Sequence, residues 1–119
     1  MLLANALDQF QKHIPVQVFG TDIDLSALVR ARAGSFPTSA LEPLTEEQRD
    51  RFFVGDGSSA HVAPRLREMC VFAPHNLIED PPFSQLDLIS CRNVLIYLNS
   101  DVQSKIISRF HYALNPGGT

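Results

Sequence analysis

The sequence lacks most of what would tie it to a charged polymer, a membrane or a metal. Net charge is −3 over 119 residues, so no basic excess points to nucleic acid or an anionic membrane surface. No apolar run approaches the ~20 residues of a membrane span. The opening MLLANAL is too short for a signal peptide and has no basic start. The two cysteines, Cys70 and Cys91, stand at no metal or redox spacing, and both are expected to be reduced core residues of a cytoplasmic protein. His13, His61, His75 and His111 are scattered, and none pairs at a metal-ligand spacing, so no metal is expected. No Ser-His-Asp or Cys-His arrangement stands out. The only lysines, Lys12 and Lys105, fall on predicted helices, whereas a receiver-like phosphoacceptor needs a lysine and acids at successive strand ends. Internal repeats and low-complexity tracts are absent.

What is there suits one small α/β domain. Hydrophobic residues make up 45% and charged residues 19%, ordinary values for a globular chain of this length. Leu3, Ala6, Leu7 and Phe10 share a helical face over 2–13, and Pro15 marks the exit. A β-rich run over 16–20 ends in Thr21-Asp22. A helix is predicted over 25–33, with Asp24 as its N-cap and Gly34 as its stop. Residues 35–44, with Pro37 and Pro43, read as a loop. Thr45 and Gln48 form a capping box for a short helix over 46–53. GDGSSA (55–60) reads as a turn, 61–63 as a short strand and 65–69 as a turn. A second β-rich run, 70–73, ends in His75-Asn76. A third, LDLISC at 86–91, ends in Arg92-Asn93. Ser100 and Gln103 form a capping box for a helix over 101–114, with Val102, Ile106, Phe110 and Ala113 or Leu114 as its apolar stripe. Alternating apolar strands and amphipathic helices predict an α/β fold with a parallel sheet.

The three β-rich runs all end in polar residues. In open parallel sheets, ligands bind just beyond the carboxyl ends of the strands. An acid there can accept two ribose hydroxyls, and an amide can read a base edge, so a nucleoside-type ligand is favoured. Other readings stay open. Asp22 and Asp24 also suit helix starts, Asn76 a turn, and Arg92 a surface ion pair.

Three stretches carry a resemblance: FGTDIDLSALVRARAGSFP, APHNLIEDPPF, and DLISCRNVLIYL followed by the pattern Q…F…L.PGG. They resemble the CheR-type chemotaxis receptor methyltransferases, which use S-adenosylmethionine to methylate chemoreceptor glutamates. Residues 73–114 look especially like the versions fused to methylesterase and sensor domains. The resemblance implies S-adenosylmethionine as cofactor and S-adenosylhomocysteine as product. It implies that Asp22 holds the ribose hydroxyls, that Asn76 and Leu77 flank the adenine, and that Arg92 and Asn93 contact the cofactor near its methionine end. Tyr97 would stand close to the transferred methyl, although a core aromatic with a satisfied hydroxyl is the alternative. Tyr97 and Arg92 would be the local contributors to catalysis. Because a glutamate acceptor is already ionised at neutral pH, no general base is required. The expected partner is a chemoreceptor cytoplasmic domain or a related signalling protein, with no nucleic acid and no membrane insertion. Gly20 stands where the family usually has a small residue, and is read as harmless.

The resemblance also implies gaps. The family's first strand and glycine-rich cofactor loop precede a helix like 2–13, and its later strands follow a segment like 115–119. Runs 16–20, 70–73 and 86–91 resemble its second, third and fourth strands, and about 51–72 its small antiparallel insertion. The expected fold is therefore a partial Rossmann-like class I methyltransferase sheet with a small antiparallel insertion, lacking the first strand and the C-terminal strands. Such a fragment, one partial domain over 1–119, is expected to bind S-adenosylmethionine weakly or not at all. Two alternatives remain: a non-catalytic methyltransferase-like module that binds signalling partners, and a fragment of a nicotinamide-dinucleotide enzyme, where an acid also ends a strand.

Overall fold

The computed structural model describes residues 14–55 and 57–119, together with Ala4. The helix expected over 2–13 otherwise lies outside the described residues. The elements in chain order are β1 (Val18–Asp22), α1 (Leu25–Ala33), β2 (Ser35–Pro37), a 3-10 turn (Thr38–Leu41), α2 (Glu46–Phe52), β3 (Phe53–Gly55), β4 (Ser59–Val62), α3 (Pro64–Glu68), β5 (Cys70–Pro74), a second 3-10 turn (Leu95–Tyr97) and α4 (Ser100–Ala113). The chain divides into two compact units, Met1–Pro74 and His75–Thr119.

In the first unit β1 and β5 pair in parallel, with Val18 opposite Cys70 and Asp22 opposite Pro74. Parallel neighbours need a long crossover, and everything from α1 to α3 serves as that connection. At Gly20 the pair is close: a Cβ there would stand 2.5 Å from the Phe72 ring. A side chain there would therefore force the Phe72 ring to shift, which suits a small residue at this position.

Helix α1 has the predicted bounds and caps. Asp24 accepts from the Ser26 amide at 2.8 Å and from its hydroxyl at 2.7 Å. Gly34 adopts φ 59°, where a residue without Cβ is unstrained, and its N–H donates to Arg30 and Ala31 carbonyls. Arg32 ties the helix to the sheet, donating to the Phe72 carbonyl through Nη2 at 2.7 Å. Arg67 of α3 in turn donates to the Arg32 carbonyl at 2.8 Å.

The crossover carries a small antiparallel sheet in the order β2-β4-β3. The predicted loop over 35–44 therefore contains an edge strand. Pro37 is tolerated there because an edge position needs no donor on its outer side. The predicted turn over 65–69 is the short helix α3, started by Pro64 at its first position, where the missing N–H costs nothing. The capping box of α2 forms as expected: Gln48 N donates to Thr45 Oγ1 at 3.2 Å, and Thr45 N donates to Gln48 Oε1 at 3.1 Å. Ala4, Phe52 and Leu66 are the buried centre, flanked by Phe53, Val62 and Met69. Phe36 and Phe53 meet edge to face at 6.2 Å.

In the second unit the largest departure from expectation is the run 86–91. It forms no regular strand. Its backbone is held by the chain's last residues at a few points: Leu86 N donates to Ala113 O, Asn115 N to Leu86 O, Ile89 N to Thr119 O and Thr119 N to Asp87 O. A ladder needs a partner that stays extended along its length. The partner here turns at Pro116-Gly117, so only one parallel bridge forms, Leu86 with Leu114. Leu88 is accordingly 55% exposed, and Cys91 half-buried, like Cys70.

Helix α4 forms on the predicted stripe. Ile106 is 1% exposed, Ala113 is buried, and Val102 and Phe110 are half-buried. Its start differs from the prediction. Asn99, not Ser100, caps the helix, its Oδ1 accepting from Val102 N at 3.0 Å. Gln103 takes no part in a capping box, because its amide is engaged elsewhere.

The expected class, α/β with a parallel sheet and a small antiparallel sheet, is what the structure shows. Among the described residues no helix is long and apolar enough to cross a membrane.

Candidate functional site

Asp22 ends β1 and belongs to the first unit. It is exposed, and its Oδ1 accepts from Asp24 N at 2.9 Å, forming the tight turn into α1. That leaves Oδ2 with no hydrogen bond among the described residues. One oxygen thus shapes the helix start, which fits the helix-start reading of the residue, and the other stays exposed. Asp24 beside it is different in kind. The Ser26 hydroxyl, then the Ser26 and Ala27 amides, hold its carboxyl below the ordinary value of 3.8.

Asn76, Leu77, Arg92, Asn93 and Tyr97 belong to the second unit. Asn76 opens a turn over 76–80. Its Oδ1 accepts from Ile78 N at 2.9 Å and from Glu79 N at 3.4 Å, and its Nδ2 donates to Glu79 Oε2 at 3.1 Å. Its own N–H donates to Asp80 Oδ2 at 2.8 Å, and Asp80 N returns to the Asn76 carbonyl at 2.9 Å. The side-chain amide thus holds the turn, leaving one Nδ2 hydrogen for any ligand. Leu77 is half-buried at the apex.

His75, which precedes the turn, packs on Phe83 with ring centroids 4.6 Å apart. Its Nε2 lies 3.0 Å from the Pro81 carbonyl, which fixes the proton on that nitrogen. The buried Nδ1 has no hydrogen-bond partner among the described residues. A groove of about 360 Å³ runs between Leu77-Ile78 and α4, lined there by Val102, Lys105, Ile106 and Arg109. Of the candidate cofactor residues only Leu77 lines it.

Arg92 and Asn93 follow the 86–91 run. Both are exposed, and Arg92 makes no hydrogen bond or ion pair with a described residue. Asn93 sits at φ 59°, a left-handed conformation that Asn tolerates better than most residues with a Cβ. A local conformational need thus accounts for this asparagine beside any ligand role. Tyr97 closes the second 3-10 turn and is 80% exposed, so the alternative of a core aromatic does not hold.

Two side chains that hold these turns were missed in the sequence. Arg109 Nη1 donates to the carbonyls of Leu77 and Asp80, each at 2.9 Å. Gln103 Nε2 donates to the carbonyls of Leu95 and Leu98, each at 2.9 Å. Gln103 was visible as part of the third motif, but its spacing from Ser100 suggested a cap instead. Nothing in the pattern distinguished Arg109 from a solvated arginine.

The parallel pair β1-β5, joined by a helical crossover and ending in Asp22, is of the α/β class in which ligands bind beyond the carboxyl ends of strands. The CheR methyltransferase SAM-binding domain model matches residues 1–119. The chain belongs to that family, whose cofactor is S-adenosylmethionine. It is 36% identical over 118 residues to an "Uncharacterized 104.1 kDa protein in hypE 3'region" of Rhodobacter capsulatus, covering 99% of this chain and 12% of the relative. It is 34% identical over 125 residues to chemotaxis protein methyltransferase 1 of Pseudomonas aeruginosa, covering 98% of this chain and 46% of the relative. Chemotaxis protein methyltransferase 1 of Vibrio cholerae is 39% identical over 107 residues, covering 87% of this chain and 38% of the relative. The chain thus spans less than half the length of each of these relatives.

Taken one by one, the groups have the chemistry such a cofactor needs: within the first unit Asp22 keeps a carboxylate oxygen without a hydrogen bond among the described residues, and within the second Leu77 offers apolar surface and Arg92 a guanidinium without a partner among the described residues.

Proposed function

We propose that this chain supplies part of the S-adenosylmethionine site of a protein-glutamate methyltransferase that acts on chemoreceptors. The family match over the whole chain carries the reading, and two of the relatives above are named chemotaxis protein methyltransferases. Asp22 Oδ2 takes the ribose hydroxyls. Leu77 and the free Nδ2 hydrogen of Asn76 take the adenine. Arg92, with Asn93, takes the methionine carboxylate. The bound cofactor supplies an electrophilic methyl group on a sulfonium. Tyr97 presents an exposed phenol to the region where an acceptor carboxylate is oriented. The acceptor is ionised at neutral pH, so the chain's task is to position it rather than to remove a proton. Because Asp22, Arg92, Asn93 and Tyr97 are exposed, the chain alone binds the cofactor weakly or not at all.

Ultraviolet cross-linking with methyl-tritiated S-adenosylmethionine traps such weak binding. Label recovered in peptides containing Asn76-Leu77 or Tyr97, suppressed by S-adenosylhomocysteine and not by NAD, is the expected result. Equal suppression by NAD would move the chain to the dinucleotide class. The receptor half is tested apart from it. Label appearing on a chemoreceptor cytoplasmic domain as a base-labile ester supports methyl transfer, and cofactor binding without any label on the receptor leaves the non-catalytic module.

A further inference from the structure

We infer that α4 is the positioning element of the cofactor site, and that Gln103 and Arg109 are its two positioning residues. The inference rests on the cofactor roles proposed above for Asn76, Leu77 and Tyr97. The observation is a repeated geometry. Each side chain directs one NH₂ group at two carbonyls three residues apart in a single turn: Leu77 and Asp80 for Arg109, Leu95 and Leu98 for Gln103. Those are the turn that carries Asn76-Leu77 and the turn that ends in Tyr97.

The chemistry suits the task. An NH₂ has two hydrogens, and all four contacts are 2.9 Å, so each group is fully used. Both side chains are half-buried, where an unmet carbonyl is costly. Each turn has few regular backbone bonds of its own. The first keeps the Asp80 to Asn76 bond, and the second keeps Tyr97 to Val94 and Leu98 to Leu95. Neither turn belongs to a sheet, so the helix is what fixes it. The two clamps lie six residues apart on α4, about 9 Å along its axis. The buried Ile106 lies midway between them and anchors the helix. The spacing between the adenine-side and methyl-side turns is therefore set by one rigid element rather than by the loop 81–94.

The test uses amide hydrogen exchange by NMR on the full chain. Arg109→Met removes the donors and keeps most of the stem. It is expected to speed exchange of the Asp80 amide about tenfold, the effect of losing a charge-assisted bond, and to leave the Leu98 amide alone. Gln103→Glu, which cannot donate when ionised, is expected to speed the Leu98 amide and leave Asp80 alone. Arg109→Lys, able to reach one carbonyl, is expected to recover part of the Asp80 protection. Resonance shifts of Asn76 and Leu77 on adding S-adenosylhomocysteine are expected to shrink in Arg109→Met and to return in part in Arg109→Lys. Unchanged exchange of the turn amides overturns the inference. So does loss of Ile106 amide protection in both the Lys and the Glu variants, which would mean that the helix melted rather than a clamp opened. If the unaltered chain shows no shift with S-adenosylhomocysteine while the clamps respond as expected, the cofactor reading falls. The purpose assigned to the clamps then falls with it, and the two failures are told apart.

Discussion

Ile106→Ala is the substitution whose cost follows most directly from burial. Ile106 is 1% exposed, and it is the largest fully buried side chain of the second unit. Truncation to Ala deletes three carbon atoms. At ~0.8 kcal/mol per buried methylene the transfer loss is about 2.4 kcal/mol. Incomplete collapse around the cavity raises the total to about 3–4 kcal/mol. A domain of this size has about 5–15 kcal/mol in all, so the loss is a large share. It should also be local. Urea unfolding followed by far-ultraviolet circular dichroism at 25 °C measures the total. Hydrogen exchange then shows whether protection falls over His75–Thr119 more than over Val18–Pro74. Ile106→Val, which removes one methylene, should cost about 1 kcal/mol. A loss below about 1 kcal/mol for Ile106→Ala would refute the assignment of Ile106 as the anchor of α4, and equal loss of protection in both units would refute its locality.

Phe52→Ala is expected to cost about 3–5 kcal/mol, read from urea midpoints, because Phe52 is also 1% exposed and centres the first unit's core. Gly34→Ala is expected to cost about 1 kcal/mol from backbone conformation alone, since a Cβ there meets Val62 at an ordinary 3.5 Å while φ stays at 59°. Gly20→Ala is expected to cost about 1–3 kcal/mol by crowding the Phe72 ring, and Phe72→Leu in the same chain should restore part of it. Asp24 gives a pH signature. Its carboxyl is held below 3.8 in the folded chain, first by the Ser26 hydroxyl. Its contribution is therefore complete above that value and lost as pH falls through the lowered one. Asp24→Asn keeps a capping acceptor but cannot titrate, so its urea midpoint should fall less steeply than the unaltered chain's as pH drops below 3.8.

The elements most legible in the sequence were those whose signals are local. Helix α1 is written into Asp24 and Gly34, and α2 into Thr45 and Gln48. Each of these caps forms from residues within a few positions of one another, whereas the cap read at Ser100 and Gln103 gave way to Asn99 with the Gln103 amide bonded to Leu95 and Leu98. The run 86–91 shows the opposite case. Its apolar composition says that it seeks burial, but a strand is defined by its partner, and the partner's turn at Pro116-Gly117 limits pairing to a single bridge. Ser35–Pro37 was lost to the loop reading because two prolines obscured a three-residue edge strand. In the candidate site, the sequence showed which polar residues end the β-rich runs, but not what their side chains bond to. Asp22 divides its oxygens between a turn and solvent, and the Asn76 amide is mostly engaged within its own turn. The clamps formed by Gln103 and Arg109 span eight and thirty-two residues at their longest, a separation that no spacing rule reads.

The central claim is that this chain contributes to an S-adenosylmethionine site through Asp22, Asn76 and Leu77. NMR titration of the isotope-labelled chain with S-adenosylhomocysteine into the millimolar range measures it residue by residue. Saturable shifts centred on those three residues, lost at Asp22→Asn and not reproduced by NAD, are the expected result. No shift at any of the three, or the same shifts with NAD, would contradict it.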